Sequence, residues 1–179
     1  MKPGIVILAE LDDVLRERVL TIQRRYDPRL AALLPPHVTI TGSSGMGPIA
    51  VDTPLEELRS ALLSVTRVTP PMTLTFSPPK QFMQSQVVVL PLDPHGPIRV
   101  LHDRILTSGL RYEQPRFTFT PHVTLNLFRE LPPSELRDLL RVRITDPVRI
   151  ERIAAFQTVG AVGGNTKVLF ALPLVGDAP

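Results

Sequence analysis

Pro36-His37-Val38-Thr39-Ile40-Thr41 and Pro121-His122-Val123-Thr124-Leu125-Asn126 are two versions of one hexapeptide, identical over their first four positions. They hold two of the chain's 4 histidines. Both copies lie in alternating, β-branched sequence, the pattern of a strand with one face buried. Residues two apart on a strand point the same way, so His37 shares a face with Thr39 and His122 with Thr124. The repeat therefore predicts two strands, each presenting one imidazole beside one hydroxyl.

Outward from the first copy, Ile5-Val6-Ile7-Leu8 is an apolar run of strand length, and Asp12 offers an N-cap to a helix with Leu15, Val19 and Ile22 on one face. Asp27-Pro28 and Pro35-Pro36 bracket the connection into the His37 strand, and Gly42, Gly45, Gly47 and Pro48 mark a loop after it, read as a flexible rim. A second helix is predicted from Thr53 as N-cap, Pro54 at the first helical position and Glu56 closing a capping box, ending before Pro70-Pro71. Residues 72–76 and 82–90 read as strands around a Pro78-Pro79 turn, and Pro97 opens a third helix carrying Ile98, Leu101 and Ile105.

Residues 117–127 alternate throughout, which predicts one long strand with His122, Thr124 and Asn126 on its polar face. Pro132-Pro133-Ser134 begins a fourth helix, and strands at about 148–159 and 166–174 flank a Gly163-Gly164-Asn165 turn. Each half so read contains helices, several strands and one histidine strand. This order predicts a weak internal duplication with two lobes closing on a shared cleft.

The bulk properties fit that size of unit. At 179 residues with 43% hydrophobic content, the chain can bury one shared core. Its net charge of +3 permits a polyanionic partner without demanding one. The absence of cysteine excludes a disulfide framework, thiolate zinc sites and a cysteine nucleophile. The N-terminal apolar run is too short for a signal sequence and no stretch is long enough to span a bilayer, so a cytoplasmic protein with no membrane partner is expected, and a monomer.

If the lobes bring the two strands together, two imidazoles and two hydroxyls converge on a volume suited to one phosphate. The hydroxyls can donate to nonbridging oxygens while the imidazoles flank the attacking and leaving oxygens. Histidine suits the task because its pKa of about 6.5 lets one ring be neutral and the other protonated near neutral pH. No metal or other cofactor is needed, since the protonated ring and the hydroxyl dipoles meet the developing charge. Thr41 and Asn126 are the third positions on the same faces and are candidate substrate contacts, as is Arg129 beyond the second motif. His95 and His102 read as exposed or structural. Lys80, Phe82 and Tyr112 could supply charge or stacking at a cleft rim, with packing as the default. The glycine loop lacks the Gly-Lys-Ser/Thr of a P-loop, and the basic cluster of Arg16, Arg18, Arg24, Arg25 and Arg29 reads as a solvated helical face.

The two motifs His37-Val38-Thr39-Ile40 and His122-Val123-Thr124-Leu125 resemble those of the 2H phosphoesterase superfamily, which includes the bacterial 2'-5' RNA ligase-like proteins. The resemblance implies an α+β fold, bilobal and pseudo-twofold, with mainly antiparallel sheets lining a central cleft and helices packed outside. It implies one such domain over residues 1–179. It also implies metal-independent attack on 2',3'-cyclic phosphates of RNA ends or small nucleotides, or on 2'-5' linkages. His37 and His122 would be the catalytic pair, with His122 favoured as base and His37 as acid, and Thr39 and Thr124 would bind the phosphate. Where relatives follow the first motif with a basic residue and an aromatic, this chain has Thr41-Gly42-Ser43-Ser44-Gly45; the second is followed by Phe128 and Arg129. A nucleotide- or RNA-binding module with the same cleft and no turnover is the alternative.

Overall fold

The computed structural model describes residues 4–158 and 166–177. The expected Gly163-Gly164-Asn165 turn lies outside them. Strand β1 (Gly4–Glu10) leads through helix α1 (Asp13–Tyr26) and the short α2 (Pro28–Ala31) into β2 (His37–Thr41). Helix α3 (Leu55–Arg67) then precedes β3 (Met72–Leu74), β4 (Lys80–Gln81) and β5 (Val88–Pro91). Helix α4 (Pro97–Leu106) leads into β6 (His122–Asn126), followed by α5 (Pro133–Leu140), β7 (Val148–Ile150), β8 (Arg152–Thr158) and β9 (Thr166–Pro173).

Three antiparallel sheets result, with strand orders β2-β1-β8-β9, β4-β5-β6 and β3-β7. The histidine strands β2 and β6 are sheet edges that pack against each other across the middle of the molecule. One apolar cluster runs continuously between the halves, from Ile5, Ile7, Val38 and Ile40 to Leu90, Ile98, Val123 and Leu125. The expected class and two-lobed arrangement are those observed.

The duplication is sharper in three dimensions than in sequence. In each half a strand passes through a helix into an antiparallel partner, as β1–α1–β2 and β5–α4–β6. The registers match: Leu8 faces Thr39 and Glu10 faces His37, while Val89 faces Thr124 and Pro91 faces His122. Both ladders slip at the same place, leaving Ile40 and Leu125 as extra residues of two equivalent β-bulges. The helices are crossed between halves, with α1 lying against β6 and α4 against β2.

Local corrections follow from particular residues. The eleven-residue alternation of 117–127 yields only the five residues of β6. Pro121 has no N–H for a ladder, and Phe117 is two-thirds exposed. Residues 82–87 form the turn between β4 and β5, not part of a strand. Helix α3 starts at Leu55 without a capping box, because Pro54 takes an extended ψ of 139° and Thr53 makes no capping hydrogen bond. The tract near 148–159 divides at Glu151, one piece joining β3 and the other β1. Asp12 does cap α1, its carboxylate accepting from the Leu15 N–H at 3.0 Å.

Candidate active site

Each motif strand is rich in β-branched residues and shows the same burial, with the histidine and threonine partly exposed and the alternate residues buried. His37 Nδ1 lies 2.7 Å from the Pro35 carbonyl, and His122 Nδ1 lies 2.6 Å from the Thr120 carbonyl. A carbonyl only accepts, so Nδ1 carries the proton in both rings and Nε2 is left as the free nitrogen. The two strands that carry the imidazoles pack against each other, and the charge of His122 weighs against protonating His37. The hydroxyls of Thr39 and Thr124 donate to no partner among the described residues.

Burial first, opposed by the Pro35 hydrogen bond, holds the His37 pKa below 6.5, with His122 lowering it and Glu10 raising it. Burial likewise lowers His122, opposed by the Thr120 hydrogen bond and reinforced by Lys80. Each ring feels a positive charge, His122 at His37 and Lys80 at His122, and His37 alone has a carboxylate as well, Glu10, whose effect is the smallest of the four acting on it. A carboxylate favours the imidazolium at His37, and an ammonium disfavours it at His122.

The other expected contacts fare differently. Thr41 is fully buried, and its Oγ1 accepts from the Ile7 N–H at 2.9 Å. Asn126 is fully buried too, donating through Nδ2 to the carbonyls of Gln86 (2.7 Å) and Arg129 (2.9 Å). The bulges explain both corrections: one extra residue shifts the alternation, so neither position returns to the histidine face. Arg129 is not free for a phosphate, because it grips Glu135 with both guanidinium nitrogens at 2.6 and 3.1 Å. Tyr112 hydrogen-bonds the Ile105 carbonyl on α4 instead of serving as a rim group.

Lys80 and Phe82 do reach the site. The Phe82 ring meets His122 edge-on at 5.3 Å, and Lys80 Nζ lies 5.9 Å from the Phe82 centroid. His102 is buried in a structural role, bonded to Asp103 and packed on Phe119 at 4.0 Å, while His95 is exposed. The glycine loop, expected as a flexible rim, is anchored: Gly45 N–H donates to Phe117 O at 2.8 Å, and Met46 and Ile49 are buried. Gly45 has φ +77°, and a Cβ there would stand 2.3 Å from His102 Nε2. A Cβ on Gly42 would meet the Thr39 methyl at 2.8 Å, so this glycine makes room for the threonine.

Sequence reading missed the supports beneath β6. Gln23 on α1 donates through Nε2 to the Thr124 carbonyl at 2.8 Å. Asp27, 1% exposed, caps α2 through Oδ1 and accepts the N–H groups of Leu127 and Phe128 through Oδ2, each at 2.8 Å. In the sequence Asp27-Pro28 marks only a connection; the fold reveals that one oxygen of Asp27 caps a helix and the other holds a strand a hundred residues away.

Among the described residues no group of three or more His, Asp or Glu side chains could hold a metal ion, and no helix is long and apolar enough to cross a membrane.

The family model of the 2'-5' RNA ligase superfamily matches residues 11–161. A Geobacillus kaustophilus protein named "Putative phosphoesterase GK0864" is 30% identical over 179 residues, covering 98% of this chain and 97% of its own. A similarly named Geobacillus thermodenitrificans protein is 29% identical over 140 residues, 78% of this chain and 75% of its own. Among solved structures, apo LigT of E. coli superposes with a TM-score of 0.59 at 20% identity, over 97% of this chain and 99% of LigT. TT0787 of Thermus thermophilus gives 0.60 at 16% identity, over 99% and 100%. LigT has also been solved with phosphate, 3'-AMP, ATP and NADP+. With two matched His-x-Thr strands facing each other in this fold and the family model spanning most of its length, the chain belongs to the 2'-5' RNA ligase superfamily.

Proposed function

We propose that this protein is a phosphodiesterase that opens 2',3'-cyclic phosphates on RNA or nucleotides, with His37 and His122 as general acid and base. The observation that carries the reading is the pair of equivalent imidazoles. Each is fixed through Nδ1 to the carbonyl two residues before it, with Nε2 free for proton transfer. The names of the relatives and the nucleotides found in LigT support a phosphate ester as the ligand.

Water attacks phosphorus, giving its proton to Nε2 of His122, while one P–O bond of the ring breaks and the departing ribose oxygen takes a proton from Nε2 of His37. A phosphomonoester and a free hydroxyl result, and solvent exchange resets the two rings. Glu10 at His37 and Lys80 at His122 act towards this assignment, while the charge of His122 acts against it at His37 more strongly than Glu10 acts for it. The free hydroxyls of Thr39 and Thr124 donate to the nonbridging oxygens, and the imidazolium balances their charge, so no step calls for a metal.

The test is a screen against 2',3'-cyclic AMP, an RNA oligonucleotide ending in a cyclic phosphate and a 2'-5' dinucleotide, with and without chelator. Chelator-insensitive opening of the cyclic phosphate is expected. Full turnover by His37→Ala would sink the mechanism, and saturable binding without turnover by the wild type would identify a binding module instead.

A further inference from the structure

Besides the cleft, the protein has a groove of about 520 Å³ beside the β4–β5 turn, lined by Gln81, Gln84, Gln86, Phe128 and Glu130 among others. That volume lies within the range of small-molecule sites. Lys80 and Phe82 are directed at His122, so Gln81, between them on the edge strand, points to the opposite face. Strand β4 is the edge of its three-stranded sheet, with Lys80 on the side of His122 and Gln81 lining the groove.

The lining has a consistent chemistry. Gln81 uses its Nε2 on the Ser85 carbonyl at 2.7 Å, and Gln86 uses its own on the Leu127 carbonyl at 3.0 Å. Each amide keeps its oxygen as an acceptor and a second N–H as a donor, beside the acceptor-only carboxylate of Glu130. Gln84, exposed at the turn with φ +60°, is held in a conformation that side chains other than glycine seldom adopt. Phe128 supplies an aromatic ring, with the Arg29 guanidinium 4.2 Å from its centroid. Arg29 pairs with no carboxylate among the described residues, and its charge sits against the Phe128 ring that lines the groove.

Acceptor oxygens, an aromatic ring and a cation against it suit an unpaired nucleobase whose backbone passes the arginine. Glu130 weighs against a phosphate inside the groove itself. We infer that the groove is a second-nucleotide subsite. It takes the base of the ribonucleotide preceding the one whose cyclic phosphate lies between His37 and His122, so the substrate is an RNA end, not a mononucleotide. This rests on the proposed function. Stacking on Phe128 favours the larger purine rings over uracil.

The experiment compares kcat/KM for 2',3'-cyclic AMP with that for dinucleotides ending in a cyclic phosphate, with each of the four bases at the first position. The wild type should prefer the adenine-led dinucleotide to the mononucleotide and to the uracil-led dinucleotide. Phe128→Ala should remove about tenfold of the dinucleotide advantage, the scale of one stacked base, with the mononucleotide rate unchanged. Gln84→Ala, at an exposed turn, should act in the same direction if Phe128→Ala fails to fold. Hydrolysis of the mononucleotide without any dinucleotide advantage, or equal losses on both, overturns the subsite and spares the proposed function. If nothing is hydrolysed, the proposed function falls, and calorimetry of 3'-AMP against a 3'-phosphorylated adenine dinucleotide decides the groove. Equal affinities overturn it; tighter dinucleotide binding that is lost in Phe128→Ala supports it.

Discussion

Across the ladder from His37 stands Glu10; across from His122, in the same register, stands Pro91. The two half-sites share a bulge, a buried Val, a free threonine hydroxyl and an Nδ1–carbonyl bond, and they part company in what surrounds that frame. The β2 half-site has a carboxylate neighbour and a glycine loop packed on its threonine. The β6 half-site has Lys80 and an aromatic edge beside its ring, with Gln23 and Asp27 beneath its backbone. The backbone geometry of the two half-sites is symmetric, and the surroundings of their rings are not.

The hardest blow to either half is loss of its imidazole. Alanine at His37 or His122 should lower kcat by about 10²–10⁴-fold with the fold intact, and the double variant should be little worse than either single one, as for groups acting in one step. A double variant whose loss equals the product of the two single losses would show that the rings act independently. Next come Thr39→Val and Thr124→Val, each removing one charge-assisted hydrogen bond of about 1.5–3 kcal/mol, hence roughly a ten- to hundredfold fall in kcat/KM. Unequal losses at the two positions would locate the phosphate nearer one strand.

Asp27→Ala tests the asymmetric support. It strips one acceptor from two backbone N–H groups and should lower stability by about 1–3 kcal/mol, read as a reduced denaturant midpoint. Among the described residues β2 has no support of the same form, so activity should fall through the His122 half alone. An unchanged midpoint would mean that β6 holds itself.

The smallest effects concern charge. Both imidazole pKa values are lowered chiefly by burial, so the singly protonated pair peaks on the acid side of 6.5, and the kcat/KM optimum of the free enzyme should lie there. Glu10→Gln should move one limb down and Lys80→Met should move the other up; movement of the same limb in both variants would show that both charges act on one ring. Lowered histidine pKa values also mean that the unfolded chain takes up protons first on acidification. The contribution of His37, His122 and His102 to stability is complete above about pH 6.5 and is lost below it. A melting temperature that rises between pH 8 and pH 5 would contradict this.

What could be read from the chain was whatever depends on neighbours in sequence. Period-two alternation placed His37 beside Thr39 and His122 beside Thr124, and Asp12 marked the start of α1 because capping is local. The bulges at Ile40 and Leu125 were hidden, since a bulge is defined by a partner strand, and with them went the fate of Thr41 and Asn126. Arg129 looked available because Glu135, its partner, sits on a helix whose orientation the sequence does not announce. Pro121 held enough information to shorten the long strand, but the alternation around it spoke louder.

The crossing of α1 onto β6 and of α4 onto β2 bears on how the molecule can be made. Gln23 and Asp27 are on the first helix corner, and the atoms they hold are 101 and 100 residues further along. A growing chain must therefore synthesise most of its length before either histidine strand is seated, and such distant pairings slow folding. Severing the chain between the halves would leave each fragment with its strand and without the helix that covers it. Recovery would require the two fragments to find each other, making activity from the mixed halves second-order in their concentrations.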